Sequence, residues 1–382
     1  MSPPLRVAML AHSTLPRGGV VHAMSLCEAL TARGCEAVLH APDASGAGFF
    51  RRAACATRAF PVAPAPPDTK AMVAERIADY VGWLRREANR GFDVYHAHDG
   101  ISGAALARLK REGLIPSFVR TVHHLDAFAD PRLNAWQDAS IREADALLAV
   151  SQLWRRRLRE DFGREATMSG NGVDLAKYSP ARGSEDGLRA HLGLGDGPVY
   201  LAVGGVEARK NTRAMLHGFD AISREAPASR FVIAGGASLL DHSAYQAAFR
   251  ADLQAMGERA AAVVLTGPVA DADMPALYRL ATALVFASIN EGFGLCVLEA
   301  MACGTPVVVS RIAPFTEYLS QNDALFCDPH DPASIAAGMR AAMQPNEARR
   351  ARGLAVAARR NWDAVAQCNL ALYRRLRELA HA

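Results

Sequence analysis

Along the N-terminal half of the chain, short β-branched runs alternate with stretches whose apolar residues recur at helical spacing. The runs are LRVAML (5–10), EAVLHA (36–41), FDVYHAH (92–98), SFVRTVHH (117–124) and ALLAVS (146–151), with a helix expected from about Val20 to Arg33. Strands that alternate with crossover helices predict a parallel sheet. The pattern restarts in the second half with VYLAVGG (199–205), a helix from about Asn211, RFVIAGG (230–236), a helix around 243–257, AVVLTG (262–267), a helix over 273–281, ALVFAS (283–288) and TPVVVS (305–310). No fixed period links the halves, so the second is a new open α/β unit and not an internal repeat.

Two segments interrupt this alternation. PVAPAPPD at 61–68 reads as a Pro-rich loop, and ARGSEDG at 181–187 is polar and Gly-containing, the better domain boundary. The expected organisation is a first domain over 1–180, a second over 181–358 and a C-terminal helix from 359. That last segment, WDAVAQCNLALYRRLREL (362–379), has one apolar stripe and a basic outer face, so it is expected to pack back on the first domain. Two doubly wound domains bind ligands at the carboxyl edges of their strands, which predicts a cleft between facing edges.

Length agrees with two domains, since 382 residues exceed the roughly 100–200 of a typical one. The net charge of +4 with 21% charged residues is too small to argue for nucleic acid. The N-terminal apolar run is short for a signal peptide, and the long apolar run at 292–310 is broken by Glu299, Gly304 and Pro306, so a soluble cytoplasmic protein is expected. Seven cysteines, never spaced C-x-x-C, suit packing in a reducing compartment better than disulfides or metal.

The chemistry concentrates in EGFGLCVLEAMACGTPVVVS (291–310), an apolar stretch that carries Glu291 and Glu299. A carboxylate in such surroundings is costly without a partner. Glu291 falls just after a strand, at the carboxyl edge. The Gly292-Phe293-Gly294-Leu295 turn then frees the backbone and presents N–H groups at a helix start, a ready anion site. Glu299 lies two turns on and leans back toward the same turn, where a carboxylate suits the vicinal diol of a ribose.

These residues resemble the Glu-x7-Glu signature of retaining nucleotide-sugar glycosyltransferases of the GT-B fold, built from two Rossmann-like domains, the group 1 or family 4 type that includes sucrose-phosphate synthases and phosphatidylinositol mannosyltransferases. The resemblance implies further site residues. Arg17, Gly18 and Gly19 resemble the family's glycine-rich loop near the donor diphosphate and the acceptor; a GG pair alone is also a plain tight turn. His98 and Asp99 in HAHDG (96–100) resemble a segment on the acceptor side, with Asp99 equally readable as a helix cap.

His123 in TVHH corresponds to the histidine that touches the donor sugar, although His124 is the alternative. NGVD (171–174) is a further landmark, read chiefly as a turn. VGGVEARKN (203–211) resembles G-R-x-x-x-x-K-G, whose Arg and Lys grip the diphosphate. Lys210 is present, but Gly205 stands where the Arg is expected, leaving Arg209 as the replacement. Val269, in GPV (267–269), matches the loop whose backbone contacts the base.

The implied activity is hexosyl transfer with retention from a nucleoside diphosphate sugar as co-substrate to a small-molecule, lipid or glycan acceptor. Neither a metal nor another cofactor is implied. His123, Lys210 and Glu291 are the catalytic candidates. The fold also suits a nucleotide-binding scaffold that has lost transfer, for which Gly205 argues, or a sugar-nucleotide epimerase. A dehydrogenase is disfavoured because neither VGGVEA nor IAGGAS (233–238) fits G-x-G-x-x-G. Asp271 and Asp273 imitate a metal-holding D-x-D, but directly before MPALYRL they read as helix caps. WRRRLRE (154–160) suits either a solvated face or a peripheral contact with an anionic membrane.

Overall fold

The computed structural model describes residues 3–181, 183, 185–236 and 242–381, with no side chain described beyond 378. Arg182 and Ser184 of the expected boundary, and Ala237 and Ser238 of IAGGAS, lie outside the described residues. The chain forms two compact units, one running to Asn171 and resuming at Trp362, the other spanning Gly172–Asn361. The divisions thus fall at 171/172 and 361/362, where the sequence suggested 180/181 and 358/359.

The first unit runs β1 (Arg6–Leu10), α1 (Gly18–Ala32), β2 (Glu36–Asp43), β3 (Ala56–Pro61), α2 (Thr69–Arg85), β4 (Val94–Ala97), α3 (Gly100–Arg111), β5 (Val119–Val122), α4 (Pro131–Arg142), β6 (Ala146–Ala149), α5 (Gln152–Phe162) and β7 (Thr167–Met168). The strands form one sheet in the order β3-β2-β1-β4-β5-β6-β7, all parallel. Strands β3 and β7 were not legible. Of the six residues of β3 only Phe60 is buried, and β7 is two residues long, so neither carries an apolar run.

The second unit runs α6 (Glu185–His191), β8 (Val199–Val203), α7 (Thr212–Glu225), β9 (Arg230–Ala234), α8 (Ser243–Ala255), β10 (Val263–Gly267), α9 (Met274–Leu280), β11 (Ala283–Phe286), α10 (Leu295–Ala302), β12 (Val307–Ser310), α11 (Phe315–Tyr318), β13 (Leu325–Cys327), α12 (Pro332–Ala342) and α13 (Glu347–Ala358). Its sheet is also parallel, ordered β10-β9-β8-β11-β12-β13. The central strands of both sheets are buried on two faces, which is why they read as continuous apolar runs and not as alternation.

The final helix, α14 (Trp362–His381), returns to the first unit. Its Val365, Ala366, Leu370 and Tyr373 join Val7, Met9, Val20, Met24 and Leu39 in one core. These four positions repeat at the helical spacing that marked the segment's apolar stripe. The second core gathers Tyr200, Phe219, Phe231, Val285, Val308 and Ile335.

Each sheet reverses its strand order once, between β1 and β4 in the first unit and between β8 and β11 in the second. Crossovers leave these points in opposite directions, so the carboxyl ends of the two central strands open into a crevice lined by their loops. The segments singled out from sequence sit there: Arg17–Gly19 and His98 after β1 and β4, and 205–210 and Glu291 after β8 and β11. Gly18 and Gly19 are the first residues of α1, however, and not a loop ahead of it.

Candidate functional site

In the second unit, the turn between β8 and α7 delivers two cations to one carboxylate. Gly204 has φ +125°, and a Cβ there would lie 3.2 Å from Lys210 Cε, so glycine lets the lysine stem cross the backbone. Asn211 is left-handed at φ 60°, and its amide donates to the Ala287 and Pro329 carbonyls at 2.9 and 2.6 Å. Ile289 N–H donates to Arg209 O at 3.1 Å. These bonds staple the 207–211 turn to the loop after β11.

As a result Lys210 Nζ and Arg209 Nη1 both reach Glu291 Oε2, at 2.8 and 3.1 Å. Lys210 also sits 4.4 Å from the Phe286 ring centroid. Burial pushes the Glu291 carboxyl up, but the Lys210 and Arg209 charges, with a hydrogen bond from Gly292 N–H, bring it down to about 2. Glu291 is therefore an anion throughout the neutral range. Arg209, one residue before Lys210, turns to the same carboxylate.

After Glu291, Gly294 takes φ +94° and caps α10, and a Cβ there would lie 2.7 Å from Phe315. Phe293 stacks on Tyr318, with centroids 4.7 Å apart. Glu299, half-buried on α10, accepts from the Tyr278 hydroxyl at 2.6 Å. Its carboxyl is raised by burial, against the hydrogen bonds of Tyr278 and Tyr178 and the charge of Lys177. An ionised carboxylate has about four acceptor sites, so the two phenols leave room for further hydroxyl donors. Val269 follows β10, where Gly235 N–H donates to Gly267 O at 2.9 Å.

Asp273 stands at the cap position of α9 without a side-chain cap bond, and Asp271 pairs with Lys177 at 2.6 Å. The capping expected of both acids is thus replaced, at Asp271, by an ion pair.

In the first unit, four histidines converge. His98 and His123 follow β4 and β5, and His98 Nδ1 lies 3.3 Å from His123 Nε2. A Cβ on Gly19 would come 3.6 Å from His123, so the glycine lets the ring close on α1. His124 instead turns to Asp126 at 3.4 Å, with 40% of its side chain exposed. His22 on α1 meets His123 edge-on, with centroids 4.7 Å apart. His96 bonds Tyr373 of α14 and Thr121, at 2.5 and 2.7 Å.

Asn171 is not a turn residue: it is buried and its Oδ1 holds His22 Nδ1 at 2.7 Å. Burial lowers the His22 imidazole to about 4 and drives His96, His98 and His123 well below their ordinary value, so all four are neutral at pH 7. Asp99 accepts from Ser102 N–H at 2.7 Å, the helix cap read as its alternative role. Arg17 stands at the N-cap position of α1.

Sequence reasoning missed His22, Tyr178 and Tyr278, and read Asn171, a family landmark, chiefly as a turn. His22 had a signal, a titratable residue inside the largely apolar stretch VVHAMSL. The tyrosines had none, because Tyr278 on the apolar face of α9 reads as core and Tyr178 lies in a loop with no motif. Among the described residues, His22, His98 and His123 are the one group of His, Cys, Asp or Glu placed to hold a metal ion. No helix of the described residues is long and apolar enough to cross a membrane.

Family comparisons agree with this architecture. Residues 185–358 match the family described as Glycosyl transferases group 1, and residues 16–177 match Glycosyltransferase Family 4. Two D-inositol 3-phosphate glycosyltransferases, from Salinispora arenicola and Acidothermus cellulolyticus, are 31% and 32% identical over 66% and 76% of this chain and 62% and 69% of their own lengths. The chain therefore spans about two thirds of each. Sucrose-phosphate synthase from Thermosynechococcus elongatus superposes with a TM-score of 0.79 at 21% identity over 97% of this chain and 99% of that one. Anabaena Alr3699/HepE, solved in complex with UDP-glucose, gives 0.76 at 18% identity over 96% and 98%. With two Rossmann-like sheets, site loops at both switch points and these matches over both units, the chain belongs to the group 1 glycosyltransferases of the GT-B fold.

Proposed function

We propose that this glycosyltransferase moves a hexosyl group, with retention and without a metal, from a nucleoside diphosphate sugar to an acceptor hydroxyl. The observation that carries this reading is the convergence of Lys210 and Arg209 on Glu291 beside the α10 N-terminus, with Glu299 farther along the same helix. Cleaving a sugar–phosphate bond builds negative charge on the leaving diphosphate. Fixed cations and helix N–H groups stabilise that charge most when they are already in place. Lys210 and Arg209 supply it without a divalent ion, and Glu291 holds both in position between turnovers.

In this reading Glu299 receives the ribose hydroxyls, Val269 lies at the base, and Gly292, Phe293, Gly294 and Leu295 border the donor sugar with Glu291. His123, neutral and backed by His98, hydrogen-bonds a sugar hydroxyl. Gly18 and Gly19 let substrate approach the backbone, and Arg17, His98 and Asp99 face the acceptor. The acceptor hydroxyl attacks the face the phosphate leaves, and the departing phosphate takes its proton. That route needs no second carboxylate placed as a nucleophile.

UDP-glucose, present in the Anabaena structure, is the first donor to test, and an inositol phosphate, named in the relatives, the first acceptor. Arg209 beside Lys210 weighs against the scaffold reading that Gly205 raised. The test is transfer of labelled sugar from UDP-, GDP- and ADP-hexoses to a panel of polyols and their phosphates, with and without EDTA. Turnover unaffected by EDTA, with the anomeric configuration kept, is the expected result. Tight nucleotide binding without turnover on any pair would favour the scaffold instead.

A further inference from the structure

Two buried imidazoles and one half-buried one in the first unit face one another with more acceptor capacity than they use. His22, His98 and His123 each offer one ring nitrogen within 4.8 Å of the other two. His22 Nε2 and His98 Nε2 are buried and have no hydrogen-bond partner, and a buried unpaired nitrogen is a group whose pairing has to come from something bound there.

We propose that His22, His98 and His123 bind a borderline divalent transition metal, zinc above all, and that the bound ion withdraws His123 from the sugar and so inhibits transfer. The inhibitory part rests on the role proposed for His123; the binding part does not.

The donor set decides the class of ion. Three neutral imidazoles with one open position suit zinc, whereas magnesium and calcium demand oxygen ligands. Three points no more than 4.8 Å apart lie within about 2.8 Å of a common centre, so each nitrogen moves inward by at most about 0.7 Å to reach a Zn–N length near 2.0–2.1 Å. Side-chain rotation covers that distance.

The surroundings are built for it. A histidine that ligates a metal usually donates its other N–H to a carbonyl or carboxylate, which fixes its tautomer. Asn171 Oδ1, buried and 2.7 Å from His22 Nδ1, is such an acceptor. The Trp362 ring packs edge-on against His22, with centroids 5.1 Å apart, and restricts that side. One charge opposes the ion: Arg120, buried, whose guanidinium is brought down to about 10 by burial. Asp99 offsets it, because its carboxylate interacts with the Arg120 charge.

Zinc titrated into EDTA-treated, desalted protein, with no nucleotide present, should bind one ion per chain and raise Tm, while magnesium should do neither. His22→Gln should weaken zinc by at least tenfold and Asn171→Ala by about 10- to 100-fold. Anomalous scattering at the zinc edge should place the ion on the three ring nitrogens of the wild-type chain, a readout that needs no variant to fold. Absence of binding, an ion located elsewhere, or unchanged affinity in His22→Gln overturns the site. In the assay, zinc should inhibit wild-type transfer and EDTA restore it, and the ratio of rates with and without zinc should move toward one in His22→Gln. Zinc bound at the three histidines with no loss of transfer overturns the inhibition alone. If no donor and acceptor pair reacts, the proposed activity fails while the binding measurements still decide the metal site.

Discussion

Glu291 pairs with two cations that are adjacent in sequence but unequally buried, so substitutions of Lys210 and Arg209 are predicted to differ in size. Lys210→Ala removes the better-buried charge, with 16% of its side chain exposed against 29% for Arg209. It should lower kcat by about 10²- to 10³-fold, the usual effect of one group preorganised on developing charge. Arg209→Ala should cost less; an equal or greater loss would mark Arg209 as the principal contact of the leaving phosphate. For Glu299, substitution by Gln keeps the shape that Tyr178 and Tyr278 pack against and removes the charge. Calorimetry should show donor affinity weaker by about 10-fold or more, since hydrogen bonds to a charged group contribute about 1.5–3 kcal/mol. Unchanged affinity would place the ribose elsewhere.

At the level of elements, each central strand ends where a glycine-containing turn opens a helix, and the two turns differ in what their glycines do. Gly294 is needed twice, for its φ of +94° and for the Phe315 ring 2.7 Å from where a Cβ would sit. Gly294→Ala should therefore cost about 1–3 kcal/mol in denaturant unfolding and weaken the donor as well. Gly18 has nothing within 4 Å of a built Cβ and no left-handed φ, so Gly18→Ala should leave stability within about 0.5 kcal/mol. A large loss at Gly18 with none at Gly294 would refute this account of α10.

For the molecule as a whole, the buried histidines set the acid limit of stability. Unfolded histidine titrates near 6.5, whereas His22 in the folded chain titrates at about 4 and His40 at about 3. Below pH 6.5 the unfolded chain binds protons that the native one refuses. Stability from these groups is thus full above about 6.5 and is lost as pH falls toward 4, by roughly 3 kcal/mol for His22 alone at one pKa unit per 1.36 kcal/mol. Glu291 shifts in the same direction but at lower pH, losing its contribution only between about 4.5 and 2. Urea midpoints at pH 7, 6 and 5 should fall steadily, and a flat profile would show that these rings are not neutral and buried. The sequence alone determined the strand and helix alternation of both units apart from short or exposed strands such as β3 and β7, the return of α14 through its apolar stripe, and the register of Glu291 and Glu299, because those signals lie within a few residues of one another. Tertiary structure decided which neighbours point together. Lys210 meets Glu291 across 81 residues, His22 meets Asn171 across 149, and His96 meets Tyr373 across 277. Such pairings leave no local period, because the chain between them sets the distance only through the sheets it builds; hence Arg209 became a partner of Glu291, Asn171 an anchor and not a turn, and His22 a member of the cluster only once the chain had folded.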